Sequence, residues 1–476
     1  MPIVLTYKLM MVTYIFLGNI LAIIISKRMN INLKYVLVFI VLYCFNPYRF
    51  ISVFIRGAFG ELLAYTFFPL VFYFCYKIFV KNHYCFIGLG LSMTLVALSH
   101  NLSLFLYSIV IGISYIVYVI KNRNNKCLIL RITSCLIKAS IIAILLSTWY
   151  LLPMFEILSS QNLVISVAND VFNIADSLVN IKELFNLYVD STFVIFGLNE
   201  INRYGINIFM MVPLLFMIIN IKKYDKHTQL FLVLIIMFML CASGIIPIHK
   251  IQFFNILQFS FRWYILIVPL LIICISFGMS IIKNNKLIII YLFLFILSYI
   301  MSVGVLYGKE FKISDQDTSF EILETNLNYN KDHNEKQISD ALVLPLTEKN
   351  DYLEDTTFIK LVDDNNLYID KIYEYDRHFS NITFTYQSVG DELLMLPLTY
   401  YLGYKGTVSG CVNETNIDIM DVDIYHKVGL KTLEGLCTYS VQYKGTNIQF
   451  ISLIISLISL MGLLVYIFKN KKTHLL

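Results

Sequence analysis

An α-helical polytopic membrane protein of about eleven spans, carrying a C-terminal antiparallel β-sandwich-like domain, is the fold class this sequence predicts. The chain of 476 residues is 58% hydrophobic and only 14% charged, whereas soluble domains run near half apolar and about a quarter charged. Apolar runs of spanning or near-spanning length recur along it. The charge is segregated: only eight of the 32 acidic residues lie outside 308–448, and the rest of the chain is basic, as membrane-flanking loops are. The lipid bilayer is therefore the expected partner. Nucleic acid is not, because no compact basic patch with interleaved aromatics is present.

The apolar runs fall at 9–26, 33–46, 62–80, 84–99, 102–120, 128–152, 207–221, 229–247, 263–282, 287–307 and 449–468. Basic clusters at Lys27-Arg28, Lys77 and Lys81, Lys121 to Arg131, Lys222 to Lys226, Lys283 and Lys286, and Lys469 to Lys472 follow alternate runs. All six become cytoplasmic if the first residue starts outside. The first residues lack the pattern of a cleavable signal peptide. An outside start without a signal leads us to expect further spans upstream of Met1, the alternative being a short external tail. The expected organisation is a transmembrane domain over 1–307, an extracytoplasmic β domain over 308–448, and a final anchor with a short basic cytoplasmic tail over 449–476.

Asn46-Pro47-Tyr48-Arg49 should end the second run, since proline removes a ladder hydrogen bond and disfavours the helical conformation of the residue before it. A short segment with Arg56 and Glu61 follows, and then a nearly uncharged run begins. Charges so close to hydrocarbon usually face protein, water or a polar ligand, and they mark the expected rim of a site. Five apart, the two lie roughly 140° apart on an ideal helix, which does not favour a side-by-side ion pair. Gly57 and Gly60 are expected to bend the backbone between them. The bland reading is an arginine that snorkels and a glutamate that favours the positive end of a helix.

With the outside start, His100-Asn101, the long segment from Pro153 to Ile206 and Gln258-Phe259-Ser260-Phe261-Arg262-Trp263 share the outer face. So do seven of the eight acids outside the hydrophilic block, all but Asp225. Any acid-base chemistry is then expected there. His100 and Asn101 are candidate site residues, against the alternative of a polar turn satisfying its own backbone. Arg262, with Gln258, is a candidate holder of a lipid phosphate at a helix start. Trp149 and Trp263 fit an aromatic belt at the outer boundary without any ligand.

The segment 153–206 keeps apolar residues at helical spacing, as in Ile181, Leu184, Phe185, Leu187 and Tyr188, and is expected to form amphipathic surface helices. From 308 to 448 short alternating runs such as NITFTYQSV and LCTYSVQY replace the long ones, the pattern of an antiparallel sandwich. Cys411 and Cys437 both fall in this domain and form either a disulfide or two separate thiols. Asp315 with Asp317 and Asp421 with Asp423 match a short two-carboxylate pattern able to hold a divalent metal ion, a pattern that also arises readily in acidic loops. Phosphate loops, zinc-ligand spacings, dinucleotide fingerprints and nucleophile elbows are absent from the sequence.

RGAFGELLAYTFFPLVFY, SHN at 99–101, WYLLP at 149–153 and QFSFRW at 258–263 resemble, in that order, the signature of bacterial membrane proteins catalogued as 6-pyruvoyl-tetrahydropterin synthase-related, a label that implies no pterin chemistry. LPLTYYLGYKG at 396–406, followed by a sheet and a final span, is similar to the bacterial lipoteichoic-acid-glycosylating membrane proteins. Both groups are related to the GT-C glycosyltransferases. The resemblance implies transfer of a sugar from a polyprenyl-phosphate donor to a cell-surface glycan or teichoic acid. It also implies a catalytic acid in the first external loop, and no acid precedes Tyr48, so either that loop is expected upstream of Met1 or the protein transfers no sugar. Glu61 is then the best acid in the chain, with Asp190 in reserve, while Arg56, Arg262 and His100 hold the phosphate. The alternative is a non-catalytic transporter or assembly protein for lipid-linked glycans, which should show charges or broken helices at its span centres.

Overall fold

Long apolar stretches free of interior charge satisfy their backbone internally, which in hydrocarbon only a helix or a closed barrel can do. In the computed structural model each of the eleven apolar runs contains a helix. The structure describes residues 3–29, 31–56, 58–160, 174–187, 206–279, 284–308, 360–361, 372–378, 380–422 and 427–469. The helices are α1 (Ile3–Arg28), α2 (Leu33–Cys44), the single turn α3 (Pro47–Phe50), α4 (Phe59–Phe79), α5 (Phe86–Ala97), α6 (Asn101–Lys121), α7 (Lys126–Ser160), α8 (Ile208–Ile219), α9 (Lys226–Ala242), α10 (Tyr264–Gly278), α11 (Asn285–Gly308) and α12 (Asn447–Lys469). Eight of these segments are long and apolar enough to cross a membrane, while α5, α8 and α9, at 12, 12 and 17 residues, are shorter.

Asn46 and Pro47 do end α2, in a way that keeps the backbone satisfied. The Asn46 side chain accepts from the Arg49 amide at 2.8 Å and donates to the Tyr43 carbonyl at 2.9 Å, so a fully buried residue caps one helix and closes the other. Pro47 opens α3, where its missing N–H costs nothing. A π-helical turn, Ile51–Ile55, then carries the chain to Arg56. Such turns interrupt the regular ladder and are frequent at functional sites.

The chain divides into two compact units. One comprises Met1–Ser147, Asn169–Lys312 and Ile458–Leu476, the other Thr148–Ala168 and Ile313–Leu457. In the first, α10 is buried almost throughout, from Tyr264 to Ile275. Side chains on α11 such as Ile289, Phe293 and Ile300 are exposed, as suits hydrocarbon rather than water.

Among its described residues the second unit holds two antiparallel sheets, in the orders β1-β4-β8-β7 and β2-β3-β9-β5-β6. Its strands are β1 (Lys360–Leu361), β2 (Ile372–His378), β3 (Asn381–Ser388), β4 (Leu393–Thr399), β5 (Tyr404–Ser409), β6 (Thr415–Ile417), β7 (Ile419–Val422), β8 (Lys427–Lys431) and β9 (Gly435–Tyr443). Alternate residues Ile382, Phe384 and Tyr386 of β3, and Cys437, Tyr439 and Val441 of β9, are fully buried in a core shared with Leu394 and Leu430 of the other sheet. Cys411 and Cys437 form a disulfide, with Cα atoms 4.9 Å apart. The unit also takes in the end of α7 and the first half of α12. Thr446 Oγ1 donates to Glu156 at 2.6 Å, and the Trp149 amide donates to Ser456 Oγ at 3.0 Å.

In the segment 153–206 the described residues differ from expectation in two ways, while 161–173 and 188–205 lie outside them. Pro153 does not end its helix: α7 runs on to Ser160, since a proline removes one ladder bond but leaves the rest. The described part beyond it forms two 3₁₀ turns, Ile174–Ser177 and Ile181–Phe185, rather than amphipathic α-helices. Asp190, Asp315, Asp317 and Asp423 lie outside the described residues.

Candidate functional site

Four chain segments meet at one point: α3 with its π turn, the start of α4, the start of α6, and the 3₁₀ turn Ser260–Trp263 that leads into α10. Glu61 lies in the first turn of α4, where unpaired amides and the helix dipole favour a carboxylate. It is only 5% exposed. Arg56 donates to it through both terminal nitrogens, Nη1 to Oε2 at 2.7 Å and Nη2 to Oε1 at 2.9 Å, the planar two-point pairing that is the strongest ion pair available to these groups. Tyr48, on α3, donates its hydroxyl to Oε2 at 2.6 Å. Arg262 brings Nε to 3.8 Å of Oε1, too far for a hydrogen bond but close in charge.

The expectation that Arg56 and Glu61 would not pair is corrected. They do not share a helix. The π turn ends at Ile55, α4 begins only at Phe59, and the Ala58 amide bonds back to the Ser52 carbonyl. The 100° per residue rule therefore does not apply across them. Gly60 acts as a close-approach position inside α4 instead of a bend. A Cβ there would stand 2.8 Å from the Ser99 carbonyl oxygen and 3.2 Å from His100 Cδ2.

That close approach brings His100 in. It caps α6, its Nδ1 accepting from the Ser103 amide at 3.2 Å. Burial draws its imidazole down to about 4, with Arg262 and Arg56 pushing the same way against the pull of Glu61. The ring is neutral at pH 7, so it can donate a hydrogen bond but supplies no charge. Asn101 follows it as the first residue of α6.

Arg262 is held by its own turn. Its Nη1 donates to Gln258 Oε1 at 2.6 Å and to the Leu257 carbonyl at 3.0 Å. Gln258 adopts φ +61°, unusual for a residue with a side chain. The guanidiniums of Arg262 and Arg56 stand over the rings of Phe259 and Phe261 at 5.3 and 4.8 Å, and cation–π attraction of this kind strengthens when desolvated. The turn is anchored from the segment 174–177: the Ser260 amide donates to Ser177 Oγ at 2.8 Å, and the Ser260 hydroxyl to the Ser177 carbonyl.

The structure thus brings Arg56, Glu61, His100, Gln258 and Arg262 together from separate parts of the chain. Sequence reasoning missed Tyr48, Phe259 and Phe261 as members. Trp263 is 3% exposed and stacked on Phe238 at 5.3 Å, so it is a core residue and not part of a lipid-facing belt. Arg49 is a separate buried cation. It stands over Tyr43 and Tyr65 at 5.1 and 5.7 Å and donates to the carbonyls of Tyr43 and Ile15.

Chemically, among the described residues two guanidiniums share one carboxylate in a buried setting with a neutral imidazole beside them, one more positive charge than negative. Such a group favours an anion that accepts several hydrogen bonds, as phosphate does. Among the described residues no three His, Cys, Asp or Glu side chains gather into a metal-binding group. Comparison with family models, curated proteins and solved structures finds no match, so the chemistry rests on this geometry alone.

Proposed function

We propose that the chain is a GT-C-type glycosyltransferase-like membrane protein that grips the phosphate of a polyprenyl-phosphate sugar and passes the sugar to a cell-surface glycan or teichoic acid. The observation that carries this reading is the excess positive charge of the buried Arg56–Glu61–Arg262 group. On this reading all eleven apolar helices span, the first residue starts outside and the β domain is extracytoplasmic. The six basic clusters and the carboxyl end face the cytoplasm. Nucleotide sugars are not supplied outside the cell, so a donor carried across on a lipid is required.

In the proposed reaction an acceptor hydroxyl oxygen bonds to the anomeric carbon while the bond from that carbon to the phosphate oxygen breaks. The electron pair stays on the phosphate, where Arg56 and Arg262 stabilise it. Both oxygens of Glu61 are already occupied by Arg56 and Tyr48, which makes it a poor proton acceptor as it stands. It becomes a base if the lipid phosphate draws Arg56 to itself and frees a carboxylate lone pair. The same saturation of Glu61 favours a second reading, a non-catalytic transporter or assembly protein that binds the lipid without turnover.

A transfer assay with labelled polyprenyl-phosphate sugar separates the two. The transferase reading expects turnover that falls in Glu61→Gln, Arg56→Ala and Arg262→Ala. Full activity in all three variants removes the residue assignment, and lipid binding without turnover in the unaltered protein supports the second reading.

A further inference from the structure

A slot between α4, α6, α9 and α10 points to a second lipid site, at the other end of the same helices. Its walls run from Phe68 to Phe79 on α4, with Val80 just past its end, and from Tyr107 to Lys121 on α6. At 1.5 Å per residue the α6 wall is about 21 Å long, some two thirds of the ~30 Å hydrocarbon core of a bilayer. Along it the residues recur three and four apart, so they form one continuous face. The described lining is hydrocarbon and aromatic ring except for Ser114, the Cys75 thiol, the tyrosine hydroxyls and, at one end, Lys121 and His227.

That end is a basic mouth. Lys121 is exposed and His227 half-buried. Lys77 and Lys81 lie at the same end of α4, above the rings of Tyr73 and Tyr76 at 4.9 and 5.7 Å. The Tyr118 hydroxyl donates to Asn82 Oδ1 at 2.7 Å, tying the end of α6 to the turn after α4. Among the described residues no carboxylate lines the slot. The acid beside the mouth, Asp225, is engaged in capping α9, accepting from the Thr228 hydroxyl at 2.5 Å and the His227 amide at 3.0 Å. Tightly packed interiors leave few voids larger than a water molecule. An elongated apolar slot with cations only at its mouth matches an amphiphile with a long hydrocarbon tail and an anionic head.

We propose that this slot takes one acyl chain of an anionic glycerophospholipid, with the lipid phosphate at Lys121 and His227. The mouth lies at the opposite end of α6 from His100, so failure of the transferase reading leaves this site untouched.

The test is native mass spectrometry of the full chain, titrated with phosphatidylglycerol and with phosphatidylcholine bearing the same acyl chains. A basic side chain near a membrane surface is worth about a fivefold preference for an anionic lipid. Phosphatidylglycerol should therefore bind in preference, Lys121→Ala should lower the ratio about fivefold, and Lys121→Arg should keep it. Ser114→Trp, which fills the slot, should lower the occupancy of both lipids together. Equal binding of the two lipids by the unaltered protein, or an unchanged ratio in Lys121→Ala, overturns the proposal. So does displacement of phosphatidylglycerol by polyprenyl phosphate that Arg262→Ala abolishes, because the tail in the slot would then belong to a lipid held at the other end. Should Ser114→Trp fail to fold, the comparison of Lys121→Ala with Lys121→Arg decides alone.

Discussion

Replacing Glu61 by glutamine changes one carboxylate oxygen to an NH₂ group and removes the negative charge that Arg56 and Arg262 share. The carboxylate receives Arg56 at 2.7 and 2.9 Å and Tyr48 at 2.6 Å, with Arg262 Nε at 3.8 Å. The amide keeps one acceptor oxygen, but its NH₂ faces a guanidinium that can only donate. One Arg56 bond is lost, and the excess charge of the group rises from one to two. Removing one partner of a buried ion pair costs about 3–5 kcal/mol, because the remaining charge stays buried. At about 2–4 °C per kcal/mol in a large domain, the melting temperature should fall by about 6–20 °C. Far-UV circular dichroism of the detergent-solubilised protein during heating reads this directly. A double-mutant cycle sharpens it: Glu61→Gln with Arg262→Gln brings the excess back to one, so the pair should cost less than the sum of the singles. A single-variant loss below about 1 kcal/mol, or additivity within about 0.5 kcal/mol, refutes the claim that charge balance holds this site together.

Further outcomes follow from the same geometry. Gly60→Ala, whose Cβ meets the Ser99 carbonyl oxygen at 2.8 Å, should cost about 1–3 kcal/mol through overpacking. Gly112→Ala, with nothing within 4 Å, should be neutral or stabilising by up to about 1 kcal/mol; thermal unfolding compares the two. His100 has a folded pKa of about 4, below its ordinary 6.5, so between these values the unfolded chain binds more protons and stability falls as the pH drops. His100→Asn keeps a capping acceptor without titrating and should flatten the melting temperature across that window. Cys411→Ser opens a loop with a sequence separation of 26, worth about 3–4 kcal/mol in the chain-entropy account. The expected result is loss of β-unit stability with no effect of added reductant on the variant.

The helical runs were legible from their unbroken apolar length, and the β texture from its period of two, in strands such as 382–386 and 437–441. Their ends were less so. The sequence holds Pro153 in plain view, yet α7 continues through it, since neighbouring ladder bonds outweigh the one that is lost. β6, β7 and β8 are too short or too glycine-interrupted to show alternation, as in Lys427-Val428-Gly429-Leu430-Lys431. At the candidate site, the charged members stood out because charge near hydrocarbon is costly. The contacts among them did not, because the Arg56–Glu61 pair depends on a π turn that no residue periodicity encodes. Tyr48 looked like one tyrosine among 33. Its role depends on Asn46 and Pro47 turning α3 toward α4, a tertiary fact.

The proposed function requires the buried Arg56–Glu61–Arg262 group to be an anion site. The most direct measurement is the affinity of the purified full chain for a polyprenyl phosphate and for the matching polyprenol, in the unaltered protein and in Arg262→Ala. A charge-assisted hydrogen bond is worth about 1.5–3 kcal/mol, so the phosphate should bind at least about tenfold more tightly than the alcohol, and Arg262→Ala should erase most of that difference. Equal affinity for the two lipids, or a difference that survives the loss of Arg262, would contradict it.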